Sequence, residues 1–219
     1  MQDKHLLIIT GPQGSGNHVF SRIFSLHPEV EGWQQLTRRY WVPSDQEPFA
    51  EYWVYPERLN ESRFDNSQYF LANVSCPFFF DGRRQTPRIR EVAEAAVKMG
   101  IRVTVAIVVR DANINRVQQQ RVGGEVTIDQ AEKYYLDNLI NNDKFAVHFI
   151  DHEALFLWRE QYVRYLGRIL DFPVLKDPVV MKFIDQDANH KYVHPIEHHW
   201  LDDEIRAGRR PFLDRRGEI

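Results

Sequence analysis

Apolar runs and helical stripes alternate along the chain. Leu6 to Thr10 is a short unbroken apolar run, the pattern of a strand buried on both faces. Val19, Phe20, Ile23 and Phe24 then fall at helical spacing, and Leu26-His27-Pro28 ends that helix, because the residue before a proline is pushed out of the helical region. Glu29 to Trp33 starts a short second strand. Tyr69 to Cys76 is a further strand, and Pro77 turns the chain into Phe78–Asp81. Thr86 and Pro87 open a helix that Gly100 closes, with Val92, Ala95, Ala96 and Met99 on its apolar face. Ile101 to Val109 is the clearest buried strand. The helix after it breaks at Val122-Gly123-Gly124, and Thr127 with Gln130 forms the capping-box pattern of the next. Ile128, Ala131, Tyr135 and Leu139 line that helix's buried side. Ala146 to Ile150 is a last short strand, followed by a helix carrying Tyr162, Tyr165, Leu166, Ile169 and Leu170. This succession predicts an α/β fold of three layers, α/β/α, around a central parallel sheet with right-handed crossovers. One domain spanning residues 1–219 accommodates it.

Two stretches depart from the alternation. Residues 34–68 are irregular and aromatic: Tyr40, Trp41, Phe49, Tyr52, Trp53 and Tyr55 are interleaved with Pro43, Pro48 and Pro56. Such an insertion is either a lid over an acceptor substrate or packing over the edge of the sheet. The tail, 176–219, gathers His190, His194, His198 and His199, then Arg206, Arg209, Arg210, Arg215 and Arg216. His194 to His198 fits H-x-x-E-H, but few residues remain to supply a third ligand, so no metal is expected. The tail reads as a solvated terminus or as a flap bringing cations to a phosphorylated ligand.

With 43% hydrophobic residues, a chain of 219 buries a substantial core. Its formal net charge of -3 gives no electrostatic footprint for nucleic acid. The single cysteine, Cys76, excludes an intrachain disulfide and suits a reducing compartment. It lies in an apolar run, as a core residue does. No run approaches the roughly twenty apolar residues of a membrane span, and the opening Met-Gln-Asp-Lys-His lacks a signal peptide's apolar region. The expectation is a soluble cytoplasmic protein with no membrane partner.

The candidate chemistry begins at Gly11, Gly14 and Gly16, between the first strand and the first helix. Strand, glycine loop and helix aim several backbone N–H groups and a helix N-terminus at one point, which suits a phosphate or another oxyanion. Pro12, Gln13, Gly14, Ser15, Gly16, Asn17 and His18 are the candidate binders. The nucleotide-binding pattern G-x-x-x-x-G-K-[ST] is met at Gly11 and Gly16 only. Asn17 replaces the lysine that reaches the terminal phosphates and His18 replaces the hydroxyl that holds magnesium, which argues against ordinary Mg-nucleotide hydrolysis. Arg110 ends the strand at Val109. Ligands of open α/β sheets bind beyond the carboxyl ends of strands, so Arg110 reaches the same rim as the loop and can grip a phosphate.

Pro12 to Asn17 resembles the 5′-phosphosulfate-binding loop of sulfotransferases. Ser15 and Gly16 match its most constant pair and Asn17 matches a variant, while Gly14 stands where many members carry a catalytic lysine. Val108-Val109-Arg110-Asp111 resembles the family's 3′-phosphate motif, with Ala112 in place of a proline and Gln118 in place of a serine. Asp151-His152-Glu153-Ala154-Leu155 and the turn at Phe172-Pro173 resemble its C-terminal pattern. The resemblance implies a P-loop NTPase-like, sulfotransferase-like fold and 3′-phosphoadenosine-5′-phosphosulfate (PAPS) as co-substrate. It further implies transfer of a sulfuryl group to a hydroxyl or amine of a small-molecule or glycan acceptor. Arg110 and Gln118 are then the 3′-phosphate ligands, and no metal is required. For a general base the candidates near strand ends are Glu31, Asp81 and His27, with Asp81 preferred, since the family's histidine falls at Ser75. His18 is either a further hydrogen-bonding group or structural. A divergent P-loop kinase acting on a nucleotide, modified nucleobase or small metabolite, and a non-catalytic nucleotide-binding module, remain as alternatives.

Overall fold

A computed structural model describes residues 4–39, 42–123, 125–176 and 178–184. The expectations for Tyr40, Trp41 and the His- and Arg-rich stretch after residue 184 lie outside them. Five parallel strands form the central sheet in the order β2-β3-β1-β6-β7. These are β1 (His5–Pro12), β2 (Val30–Glu31), β3 (Tyr69–Cys76), β6 (Arg102–Val109) and β7 (Ala146–Asp151). Between β3 and β6 a small antiparallel hairpin pairs β4 (Phe78–Phe80) with β5 (Arg83–Gln85). The helices are α1 (Asn17–Ser25), α2 (Gln35–Arg38), α3 (Ile89–Lys98), α4 (Ala112–Gly123), α5 (Ile128–Tyr135) and α6 (His152–Ile169), with a π-helical turn at Leu136–Ile140 after α5. Among the described residues no helix is long and apolar enough to cross a membrane.

Strand alternation divides the core into two layers. Leu6, Ile8, Phe70, Ala72, Val74, Val103, Val105 and Ile107 face α3 and α5 on one side. Leu7, Ile9, Leu71, Ala106, Val108 and Ile150 face α1 and α6 on the other. The expected three-layer arrangement is the observed one. Local boundaries differ in three places. Helix α3 starts at Ile89, with Arg88 as its cap, rather than at Thr86-Pro87. Thr127 caps α5 without a side-chain hydrogen bond, and its backbone N–H, the group Gln130 would reach in a capping box, donates to Gln119 Oε1 at 2.7 Å, so the box does not form. The second strand, β2, spans only Val30–Glu31 of the expected Glu29 to Trp33.

The aromatic segment between β2 and β3 resolves into packing. Phe49, Trp53 and Phe64 are fully buried in the α3-side core beside Phe70. The segment also closes a sheet edge. Strand β2 covers only Tyr69 and Phe70 of β3. Beyond it the N–H of Asn73 donates to Glu47 Oε1 at 3.0 Å, while Glu47 Oε2 accepts from Phe49 N at 2.8 Å and Trp53 Nε1 at 3.1 Å. A carboxyl group stands in for the missing strand. Replacing Trp53 with alanine is expected to lower unfolding stability in urea by about 3–5 kcal/mol, as for a large core aromatic; a lid would leave global stability unchanged.

The buried carboxyl group also has a pH signature. Burial pushes the Glu47 carboxyl up to about 8 in spite of its three donors. Burial holds the imidazoles of His5 and His18 down at about 4, helped by Arg102 and Arg22. A carboxyl that binds its proton more tightly when folded loses stability as pH rises from 4.5 towards about 8. Imidazoles held low lose it as pH falls from 6.5 towards about 4. Below pH 6.5 the two histidines outweigh Glu47, and above it Glu47 acts alone. Stability in urea is therefore expected to peak near pH 6.5 and decline towards pH 8, and Glu47→Gln to abolish the alkaline decline.

Candidate anion-binding site

Strand β1 remains paired with β3 through Gly11 and Pro12, opposite Ser75 and Cys76, so the glycine loop starts at the carboxyl rim of the sheet. A turn follows, closed by the Ser15 N–H on the Pro12 carbonyl at 3.0 Å. Gly14 takes φ 82 in its third position, as a turn with a left-handed third residue requires. Gly16 caps α1 at φ 96. A Cβ there would lie 2.2 Å from Cδ2 of His152, the first residue of α6, so the ring of His152 supports the loop at the place only glycine leaves open.

The loop's carbonyls are fixed from the side of α4. Arg110 Nη1 donates to the Gly14 carbonyl at 2.6 Å and also to Gln118 Oε1. Gln119 Nε2 donates to the Gln13 carbonyl at 2.7 Å. In a planar trans peptide the carbonyl and the following N–H point in opposite directions, so bracing the Gln13 carbonyl turns the Gly14 N–H away from α4. At the helix start, the first N–H groups of α1 have no carbonyl a turn earlier to bond. Ser15 is fully buried, and its hydroxyl has no hydrogen-bond partner among the described residues. A braced glycine turn leading into a helix N-terminus is the arrangement that suits an oxyanion.

The two residues that replace a kinase's lysine and hydroxyl both turn into the fold. Asn17 Nδ2 donates to Asn73 Oδ1 at 2.9 Å and to Ser75 Oγ at 3.1 Å. Asn73, whose N–H is held by Glu47, in turn donates to Ser21 Oγ. His18 packs edge-on against Trp33, with ring centroids 5.3 Å apart, and stays a neutral imidazole at neutral pH. The binding candidates Pro12 to Asn17, Arg110 and Gln118 are thus gathered at one rim.

The candidate bases are not gathered there. Glu31 lies opposite Phe70, five residues back along β3 from the Ser75 that faces Gly11. That is about 17 Å along the sheet, at its amino edge, where Glu31 accepts from Arg63. The assignment of Glu31 as a base is corrected by this register. His18, a further hydrogen-bonding group or a structural residue by the sequence, packs against Trp33 as a structural residue does. His27, just past the end of α1, also lies at the amino edge, where its carbonyl accepts from Val30 N at 3.0 Å. Asp81 is exposed at φ 49, followed by Gly82 at φ 68, the geometry of a two-residue hairpin turn between β4 and β5. The turn accounts for this aspartate without catalysis.

Glu47, Asn73 and Gln119 were not singled out by the sequence, and His152 entered only as part of the C-terminal resemblance, with no role at the loop. The rule that marks Arg110, a polar residue just past the carboxyl end of a buried strand, applies equally to His152 after β7. Glu47 carries no such local signal. Among the described residues no group of three or more His, Cys, Asp or Glu side chains is placed to hold a metal ion.

No family model and no curated protein matches the sequence. Among solved structures, the sulfotransferase domain of the olefin synthase from Synechococcus PCC 7002 matches over 85% of this chain and 80% of its own, with 11% identity and a TM-score of 0.49.

Gly16→Ala is expected to destabilise the protein through both the left-handed backbone and the collision with His152, together about 2 kcal/mol or more. In the double variant with His152→Ala the collision disappears and only the backbone cost remains. Thermal unfolding of the four proteins in that cycle measures the difference.

Proposed function

We propose that the chain is a sulfotransferase that binds PAPS at the glycine loop and passes its sulfuryl group to a hydroxyl or amine acceptor. The observation that supports this reading is the braced loop whose kinase positions have been turned inward. Its backbone amides suit an oxyanion, while Asn17 and His18 are committed to Asn73, Ser75 and Trp33 and supply neither a lysine nor a magnesium ligand. When bound, the co-substrate supplies an activated sulfuryl group on a phosphate leaving group. The amides of the loop and of the start of α1 would hold the 5′-phosphate and stabilise charge that develops on it. Arg110 braces the loop and, with Gln118, would meet the 3′-phosphate.

Of the three candidate bases, only Asp81 follows the carboxyl end of β3 in the chain. Asp81→Asn preserves the hairpin turn and removes the base. If Asp81 deprotonates the acceptor, turnover falls by about 100-fold or more with nucleotide affinity unchanged; if it serves the turn alone, both are unchanged.

The reading is tested by thermal stabilisation with adenosine 3′,5′-bisphosphate against ATP with magnesium. The bisphosphate is expected to stabilise the protein and ATP-magnesium to do so weakly. Arg110→Ala is expected to reduce bisphosphate affinity by about 10- to 100-fold, the worth of a charge-assisted hydrogen bond. Stabilisation by ATP-magnesium alone would favour a kinase and overturn the proposal.

A further inference from the structure

The two edges of the sheet are finished differently. At β2 the edge is two residues long, and the aromatic segment with Glu47 covers what lies beyond it. At the other end, among the described residues, β7 pairs with β6 alone, and its six residues, Ala-Val-His-Phe-Ile-Asp, contain no lysine and no proline to discourage pairing. Phe149, in the middle of this strand, is 55% exposed.

The outward side of β7 can be read from one hydrogen bond. The Asp151 N–H donates to the Tyr162 hydroxyl of α6 at 2.7 Å instead of to a strand. Backbone groups alternate along a strand, so Phe149 and Val147 share the outward side with Asp151. Two residues with free N–H and C=O groups therefore flank His148. A second copy running antiparallel, related by a two-fold axis through His148, pairs Val147 with Phe149 and Phe149 with Val147, and all four outward groups on each copy find partners. In this register the same face of the sheet continues from one copy to the next. Val147, which packs against the α3-side core, then meets the exposed Phe149 of the other copy.

The surrounding surface is apolar enough for such a contact. Of the nine exposed large apolar side chains among the described residues, seven lie on β6, β7, the π-helical turn before β7 or α6: Val109, Phe149, Leu136, Ile140, Leu157, Trp158 and Tyr165. Leu157 and Trp158, exposed by 72% and 57%, stand just before the bend of α6 at Arg159. Taking about 150–250 Å² for a whole large side chain, the seven expose roughly 700 Å² together. A stable interface buries about 800 Å² per partner. Isolated surface hydrophobics are ordinary, but seven of the nine fall on β7 and on the elements that neighbour it in the sheet or the chain, which favours an interaction surface at this end of the sheet.

We propose that the chain forms a two-fold symmetric dimer through antiparallel pairing of β7 with β7, joining two five-stranded sheets into one. The pairing leaves the glycine loop of each copy intact and does not depend on the sulfuryl-transfer reading. Sedimentation of the full chain at micromolar concentration is expected to give twice the 26.0 kDa chain mass. Phe149→Lys, which places a charge on the open edge, is expected to sediment as a folded monomer with the circular dichroism of the wild type. The register has its own readout. His148→Cys places two thiols opposite each other across the axis, about 4.5 Å apart between Cα atoms, within the span of a disulfide, and mild oxidation is expected to yield a covalent dimer; buried Cys76 in the wild type is the control. A wild type that sediments as a monomer overturns the proposal, as does a dimer that persists in Phe149→Lys. Should Phe149→Lys fail to fold, cross-linking through position 148 decides: a covalent dimer sustains the β7 pairing and its absence rejects it.

Discussion

Turning a peptide carbonyl one way turns the next N–H the other, and the glycine loop depends on that constraint. Backbone amides are weak, mobile donors unless something holds the chain. Here Arg110 and Gln119 grip the Gly14 and Gln13 carbonyls, and His152 fills the space beside Gly16. Each support comes from a different part of the fold: the end of β6, the middle of α4 and the start of α6. The loop has its shape only when β1, β6 and β7 are in register, because only then do these residues converge on one rim. Preorganisation of this kind lets a site stabilise charge without reorganising as the charge appears.

A second chain of hydrogen bonds ties the opposite flank of the loop to the edge of the sheet. Glu47 holds Asn73, Asn73 receives Asn17, and Asn17 opens the helix whose N-terminus faces the loop. This route passes through buried groups, where an unmade hydrogen bond is expensive, so its members are held together or not at all. It also explains how a segment rich in proline and aromatics is ordered. Its own backbone forms only short turns, and its position is set by Phe49, Trp53 and Phe64 in the core and by one carboxyl group between three N–H donors. Arg63, bonded to Glu31 and lying 4.3 Å over the Phe49 ring, adds a tie to β2.

The contrast between the sheet's edges follows from the same economy of backbone groups. A free edge must be covered, shortened or paired. The β2 edge is shortened and covered, while the β7 edge remains long and apolar, with one N–H satisfied by Tyr162. The chain thereby closes one side of its sheet internally and leaves the other to be closed by contact.

The sequence by itself determined the layers of this protein. Buried runs at Leu6–Thr10, Tyr69–Cys76 and Ile101–Val109 alternate with amphipathic stripes, and that periodicity dictates strands, helices and a parallel sheet, because burial of apolar faces is a local pattern with a global consequence. It also determined the glycine loop and the arginine at the end of β6, since both follow from rules about strand ends. Tertiary structure alone decided the rest. Whether the aromatic segment is lid or core depended on which cavity its rings meet, and register, invisible in composition, carried Glu31 to the far edge from the loop. Glu47 and His152 took their places through contacts with residues far away in sequence, Asn73 and Gly16. Such pairings are fixed only when the whole sheet is assembled, and that is why no window along the chain contains them.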